Sequence, residues 1–247
     1  MDLGVLDVGQ IFGRAGRPQF DTSGHGIIIT SHAKLSHYTH MCVRSTPIES
    51  QFVSRLADHL NAEVALGTVT SVKEAVTWLS YTYLFVRMLK NPLAYGIAYD
   101  TTARDPRLHR WRIELVGTMA RRLDTARMVR YHAESGSIDA TELGRTASHF
   151  YLSVSTVETF HEHLSPTNSE ADLLQTLCLA DEFSNIKVRE EEMEELDALL
   201  DQAPLKVADG LATKEGKTSV LMQAFIGGLP VRSSRSHLTY DLGTIDL

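Results

Sequence analysis

The sequence predicts a mostly α-helical chain with a small α/β remnant at its front. Three observations carry this. Apolar residues recur at helical spacing through much of the chain, most regularly at Val72, Val76, Leu79, Tyr83, Val86 and Leu89, which fall on one stripe. Near the front, the turn-rich segment Asp21-Thr-Ser-Gly-His-Gly26 leads into Ile27-Ile28-Ile29-Thr30, four residues with the two-sided apolar character of a buried parallel strand. Met128-Val-Arg-Tyr131, Glu134-Ser-Gly136 and Ile138 alternate and turn like a β-hairpin.

The elements follow in order. Asp7 can cap a first helix, with Gln10 three residues on, and Pro18 stops it. A helix followed by one strand, with no strand before it, suggests that the sequence opens inside a domain. Residues 31–46 read as a short polar helix and loop. A helix is expected from Ile48 to Leu66, with Phe52, Val53, Leu56, Leu60 and Val64 inward. Ser71-Val-Lys-Glu74 is a capping box that opens the periodic helix ended by Asn91-Pro92. Another helix spans 105–127, then the hairpin. Three helices and a hairpin are the order of a winged-helix domain. From Thr141 the pattern is helical again, near 154–164, 169–183 and 189–201, and from about Gly227 it becomes an aperiodic tail.

The 247 residues suffice for one large domain or two to three small ones, and 43% hydrophobic with 22% charged residues excludes wholesale disorder. No apolar run approaches the ~20 residues of a membrane span, and the N-terminus lacks the apolar stretch of a secretory signal. Two cysteines, Cys42 and Cys178, make no disulfide framework and point to a reducing compartment. The net charge of −7 hides a division: residues 1–131 carry 16 Lys/Arg against 11 Asp/Glu, and residues 132–201 carry 3 against 16. A basic front and an acidic middle suit different partners, and the front does not exclude a polyanion.

Gln10, Arg14 and Arg17 are spaced i, i+4, i+7, which on a helix puts them within about 60° of one another. Gly13 and Gly16 keep the adjacent surface clear for a phosphate or another backbone. Two guanidiniums on one face suit phosphate oxygens; a solvated basic helix end is the alternative on spacing alone. Residues 104–130 hold eight arginines around Trp111 against three acids. They could track a nucleic-acid backbone, or form a solvated face packed on the acidic segment. His25, His32, His37 and His40 cluster without the Cys or carboxylate spacing of a metal site. Gly216-Lys-Thr218 looks like the end of a Walker A loop, but the position five before Gly216 is Leu211 rather than glycine, and no strand precedes it.

The string Gln10-Ile-Phe-Gly-Arg-Ala-Gly-Arg17 resembles the sixth motif, Q-x-x-G-R-x-G-R, of superfamily 2 helicases. Further matching strings are Gly26-Ile-Ile-Ile-Thr-Ser-His32, Pro47-Ile-Glu-Ser-Gln51, Thr141-Glu-Leu-Gly-Arg-Thr-Ala-Ser-His149 and Lys187-Val-Arg-Glu-Glu-Glu192. Together they resemble the large helicases built of two tandem cassettes, over roughly residues 2–226. The resemblance implies that residues 1–46 end a second RecA-like domain, 47–140 form a winged helix, 141–226 open a Sec sixty-three-type helical bundle, and 227–247 are a divergent tail. It implies that Arg14 and Arg17 reach across an inter-domain cleft to ATP phosphates as arginine fingers, with Gln10 and Gly13 beside the nucleotide. ATP and Mg2+ belong to the parent helicase, since the chain has neither a P-loop nor D-E-x-H and is expected to be inactive alone. Implied partners are RNA or DNA and other subunits of a multiprotein complex, with no membrane, in nucleus and/or cytoplasm. The alternative is a non-catalytic winged-helix and bundle module that binds protein or nucleic acid.

Overall fold

The computed structural model describes residues 4–17, 19–43 and 47–229. The front holds two helices, α1 (Val5–Phe12) and α2 (His32–Val43). Gly4 is the N-cap of α1, and Asp7, expected to be the cap itself, reaches back from the first turn to accept the Gly4 N–H at 3.0 Å. Ile27–Thr30 is extended but is not a strand, which corrects the sequence expectation. Ile27 is 85% and Ile29 96% exposed. A strand exists only through a neighbour's backbone, and none lies alongside among the described residues. Pro18 and most of the expected tail lie outside the described residues.

A helical core begins with a 3-10 turn, Phe52–Arg55, and α3 (Leu56–Leu66), which ends at Gly67 with φ 77°, a left-handed value that glycine adopts without strain. α4 (Val72–Leu79) is opened by Ser71, whose Oγ accepts the Glu74 N–H, while Glu74 Oε2 accepts the Thr70 N–H at 2.8 Å. The helix expected to run unbroken through the 72–89 stripe stops here, and α5 (Tyr83–Lys90) starts anew with Thr82 as N-cap. The Ser80 and Thr82 hydroxyls donate to the carbonyls of Thr77 and Leu79, diverting them from helix continuation.

After a 3-10 turn (Pro92–Tyr95) come α6 (Tyr99–Arg104), α7 (His109–Thr125) and the hairpin β1 (Val129–His132) and β2 (Ser137–Ala140), antiparallel with Tyr131 opposite Ile138. The segment before α4 joins the hairpin's free edge: Ile138 N–H donates to Thr70 O at 2.8 Å, and Val72 N–H to Gly136 O at 2.9 Å. The wing is thereby fastened to the helices.

The second half comprises α8 (Glu142–His149), α9 (Val154–His163), α10 (Glu170–Cys178), α11 (Met193–Leu200) and α12 (Lys214–Ile226). Side-chain oxygens of Thr141, Ser153, Ser169 and Thr213 cap four of them. One apolar core runs from Leu56 and Leu60 through Leu79, Met88, Val116, Leu123 and Ile138 into Ala147, Val154 and Val157. α8 and α9 therefore share the core of the helices before the hairpin. Two smaller cores gather on α12, one with Leu196 and Leu199, the other with Cys178 and Phe183. Every residue of α12 from Gly216 to Ala224 is buried, making it the central helix of the bundle.

Candidate functional site

α1 ends at Phe12, with Gly13 as its C-cap, so Arg14 and Arg17 do not continue a helical face with Gln10 as the spacing predicts. Gly13 and Gly16 each cost a helix about 1 kcal/mol relative to alanine, and a turn takes over: Arg14 N–H donates to Ile11 O at 3.0 Å and Ala15 N–H to Phe12 O at 3.0 Å. Arg17 begins a second turn, in which Asp21 Oδ2 accepts its N–H at 2.8 Å while Asp21 N–H donates to its carbonyl at 2.7 Å. The extended segment crosses closely behind. A Cβ on Gly24 would stand 2.5 Å from Ala15 O, and one on Gly26 2.7 Å from the Phe12 ring, so this crossing demands glycines.

Gln10, Arg14 and Arg17 are all exposed, and among the described residues neither guanidinium pairs with a carboxylate. Arg17 lies 5.7 Å over the Phe20 ring. The segment thus offers two unpaired guanidinium forks to solvent, a donor set that suits phosphate oxygens. Its carboxylates, Asp7 and Asp21, each accept a backbone N–H through Oδ2.

The arginines of 104–130 divide. Arg112 is buried: it donates to Val76 O at 2.8 Å, one of the free carbonyls at the C-terminal end of α4, and lies 4.5 Å over the Phe85 ring. Burial pulls its pKa below the usual arginine value. Arg122 grips Glu158 of α9 with two bonds of 2.8 and 2.7 Å, so here the basic helix does pack on the acidic segment. Arg107, Arg110, Arg121, Arg127 and Arg130 are exposed and form no ion pair among the described residues. An open groove of about 1020 Å³ lies between α3, α8 and residues 181–185, lined by Arg55, His59, Arg145, Tyr151 and Asp181. No group of three His, Cys, Asp or Glu that could hold a metal ion occurs among the described residues.

Lys217, in the string that looks like a Walker A ending, is fully buried in the first turn of α12. Its Nζ donates to Glu192 Oε2 at 2.6 Å and to Lys187 O at 2.7 Å. Glu192, 2% exposed, also accepts from Arg189 at 2.7 Å. Burial raises the Glu192 pKa, but the bonds from Lys217 and Arg189 lower it further, and the balance lies below the usual value. This lysine's charge is committed to a carboxylate inside the bundle.

Sequence reasoning also missed a clasp at Glu49. Its carboxylate accepts from Arg87 Nη2 at 2.7 Å and Nε at 3.2 Å, from Asn91 Nδ2 at 2.8 Å and from Tyr95 Oη at 2.9 Å. The Arg87 bonds, then Asn91, hold its pKa at about 2 against burial. Because the folded value is below the unfolded 4.5, the ionised clasp favours folding at all pH above about 4.5. That contribution disappears as pH falls towards 2. An NMR titration of the Glu49 carboxyl should show its midpoint near 2, and a midpoint at the ordinary glutamate value would contradict the clasp.

The fold and these placements define a class: a winged-helix unit continuous with a helical bundle. Residues 49–125 match the family described as a Winged Helix-turn-helix domain, and residues 140–246 match the Sec63 Brl domain. Over 92% of its length the chain is 53% identical to human "Activating signal cointegrator 1 complex subunit 3", and 48% identical to the human "U5 small nuclear ribonucleoprotein 200 kDa helicase". Over 91% of its length it is 54% identical to "DExH-box ATP-dependent RNA helicase DExH14" of Arabidopsis thaliana. The chain is a homologue of one segment of each of these larger proteins. It covers about a tenth of the length of these relatives, 10% of the first and third and 11% of the second.

Proposed function

We propose that this chain is a segment of an ATP-dependent RNA or DNA helicase: the end of a RecA-like domain (1–46), a winged helix (47–140), the opening of a Sec63-type bundle (141–226) and a tail (227–247). In this reading Arg14 and Arg17 face the phosphates of an ATP held, with its Mg2+, by a lobe outside this chain. Gln10 and Gly13 lie at the same cleft. The parent works in nucleus and/or cytoplasm as part of a multiprotein complex. Two exposed guanidiniums without carboxylate partners, in a string matching the helicase pattern, carry the proposal. Their role is to stabilise charge that develops on the transferring phosphoryl group.

The GKT string offers no phosphate cradle, because its lysine is bonded to Glu192. Purified alone, the chain should show no nucleic-acid-stimulated ATP hydrolysis; turnover at ordinary helicase rates would overturn the proposal. The positive test is a chimera in which this chain replaces the homologous segment of the human cointegrator-complex relative. There Arg17→Ala should lower kcat by about 10³-fold or more, as loss of an arginine finger does. An unchanged kcat would remove Arg17 from the chemistry.

A further inference from the structure

Gly67, Gly96 and Gly228 each close a helical turn in a left-handed backbone, the position that favours glycine. Two other helices close with the same pair of backbone bonds but without glycine. After α7 the position is held by Arg127 (φ 57°), with Met128 N–H donating to Leu123 O at 2.9 Å; after α8 it is held by Tyr151 (φ 56°), with Leu152 N–H donating to Ala147 O at 2.8 Å. This backbone strains any residue that carries a Cβ. Leu108, also at positive φ (51°), buries its side chain completely in the core and so offsets the strain. Arg127 and Tyr151 have no such compensation. Both are exposed, Tyr151 by 88%, and neither side chain forms a hydrogen bond or ion pair among the described residues. Strain kept for a side chain that packs on nothing points to a contact outside the chain.

The two side chains stand at opposite ends of α8. Arg127 O accepts the hydroxyl of Thr141, the N-cap of that helix, at 2.8 Å, and Tyr151 follows its C-cap, Phe150. Eight helical residues span about 12 Å. Arg145, between the ends, lines both the groove of about 1020 Å³ that holds Phe150 and Tyr151 and a second hollow of about 610 Å³ shared with Arg127 and Arg130. The surface is therefore continuous: two exposed rings lead through Arg145 to two guanidiniums without ion pairs. Around the hollow these three arginines face two carboxylates, Asp124 and Glu142. Glu142 meets Arg145 at 3.3 Å in an exposed pair that contributes little. Asp58, Asp181 and Glu182 lie on the walls formed by α3 and residues 181–185, where Arg55 reaches Asp181 at 3.3 Å.

We infer that the surface over α8 binds single-stranded nucleic acid, with bases stacked on Tyr151 and Phe150 and phosphates facing Arg145, Arg127 and Arg130. Aromatic rings beside guanidiniums are what an unpaired strand needs: every base has a face to stack and every phosphate a charge to meet. An acidic protein segment would use the guanidiniums and leave the rings idle, and a duplex keeps its bases stacked on one another. The inference goes beyond the reading of Arg14 and Arg17 and does not depend on it.

The test uses the whole 247-residue chain, titrated at low salt against fluorescein-labelled oligouridylate and oligothymidylate and read by anisotropy. Both should bind, and more tightly than the corresponding duplexes. Tyr151→Gly should weaken binding about 10-fold or more, as loss of one stacked base does, while leaving the melting temperature unchanged or raised, because it relieves the left-handed strain. Arg127→Ala should weaken binding and flatten its log–log salt dependence by about 0.7, the loss of one phosphate contact. An oligomer carrying 5-iodouridine should photocrosslink at Phe150 or Tyr151. Binding indifferent to Tyr151→Gly, or crosslinks confined to other residues, overturns the inference. A melting temperature lowered by Tyr151→Gly overturns it too, since the ring would then serve packing. Oligoglutamate binding as tightly as the oligonucleotides would assign the surface to an acidic protein instead. None of these outcomes touches the Arg17 reading, which is read from kcat in the chimera.

Discussion

Lys217→Met should destabilise the bundle by about 3–5 kcal/mol, because it leaves the Glu192 carboxylate buried with its central partner gone. Glu192 is 2% exposed, and its Oε2 accepts from the Lys217 ammonium. The Lys187 carbonyl loses its donor in the same step. Arg189, on the bundle's surface side, still reaches Oε1 and limits the loss. The double variant Lys217→Met with Glu192→Leu should recover most of it, since replacing a buried pair by apolar groups of similar volume is often neutral. Urea unfolding followed by circular dichroism measures both. A single variant within about 1 kcal/mol of the parent chain would show that water enters this site.

Gly144→Ala is the second large effect. A Cβ there would stand 1.9 Å from Met128 O and 2.8 Å from Asn61 Oδ1. The first neighbour is backbone at the start of the hairpin and cannot swing away; the second belongs to a 98%-buried side chain whose amide donates to Gly144 O at 2.9 Å. Relief therefore requires α8 to move off α3, breaking that bond and opening the core. Overpacking and a buried amide left without its acceptor each cost about 1–3 kcal/mol, so a total on the order of 2–6 kcal/mol is expected. Thermal unfolding checks it; a melting temperature matching that of the parent chain would mean the two helices are loosely packed.

How much of this was legible beforehand depends on where each residue's partner lies. Ser71 and the hairpin at 129–140 are readable because their partners lie three to eleven residues away. The break at Ser80–Thr82 was not, because the stripe Val76, Leu79, Tyr83, Val86 keeps helical period across it, while two hydroxyls redirect the backbone. α12 was invisible for the opposite reason: buried on every side, it offers no polar face against which a period can be counted. The arginine segment is legible as a string, but its geometry is not. Spacing at i, i+4, i+7 implies a common face only if the helix lasts, and Gly13 ends it. The Glu49 clasp joins residues 38 to 46 positions apart, and no local pattern announces it.

The continuous packing of Leu56, Leu60 and Ile138 with Ala147, Val154 and Val157 has a practical consequence. Halting translation after Ala140 would strip a wall from the oily interior, and the shortened product should clump rather than stay soluble. Calorimetry on the intact polypeptide should then trace one joint melting event for α3 through α9, because neither portion owns a complete interior to fall back on.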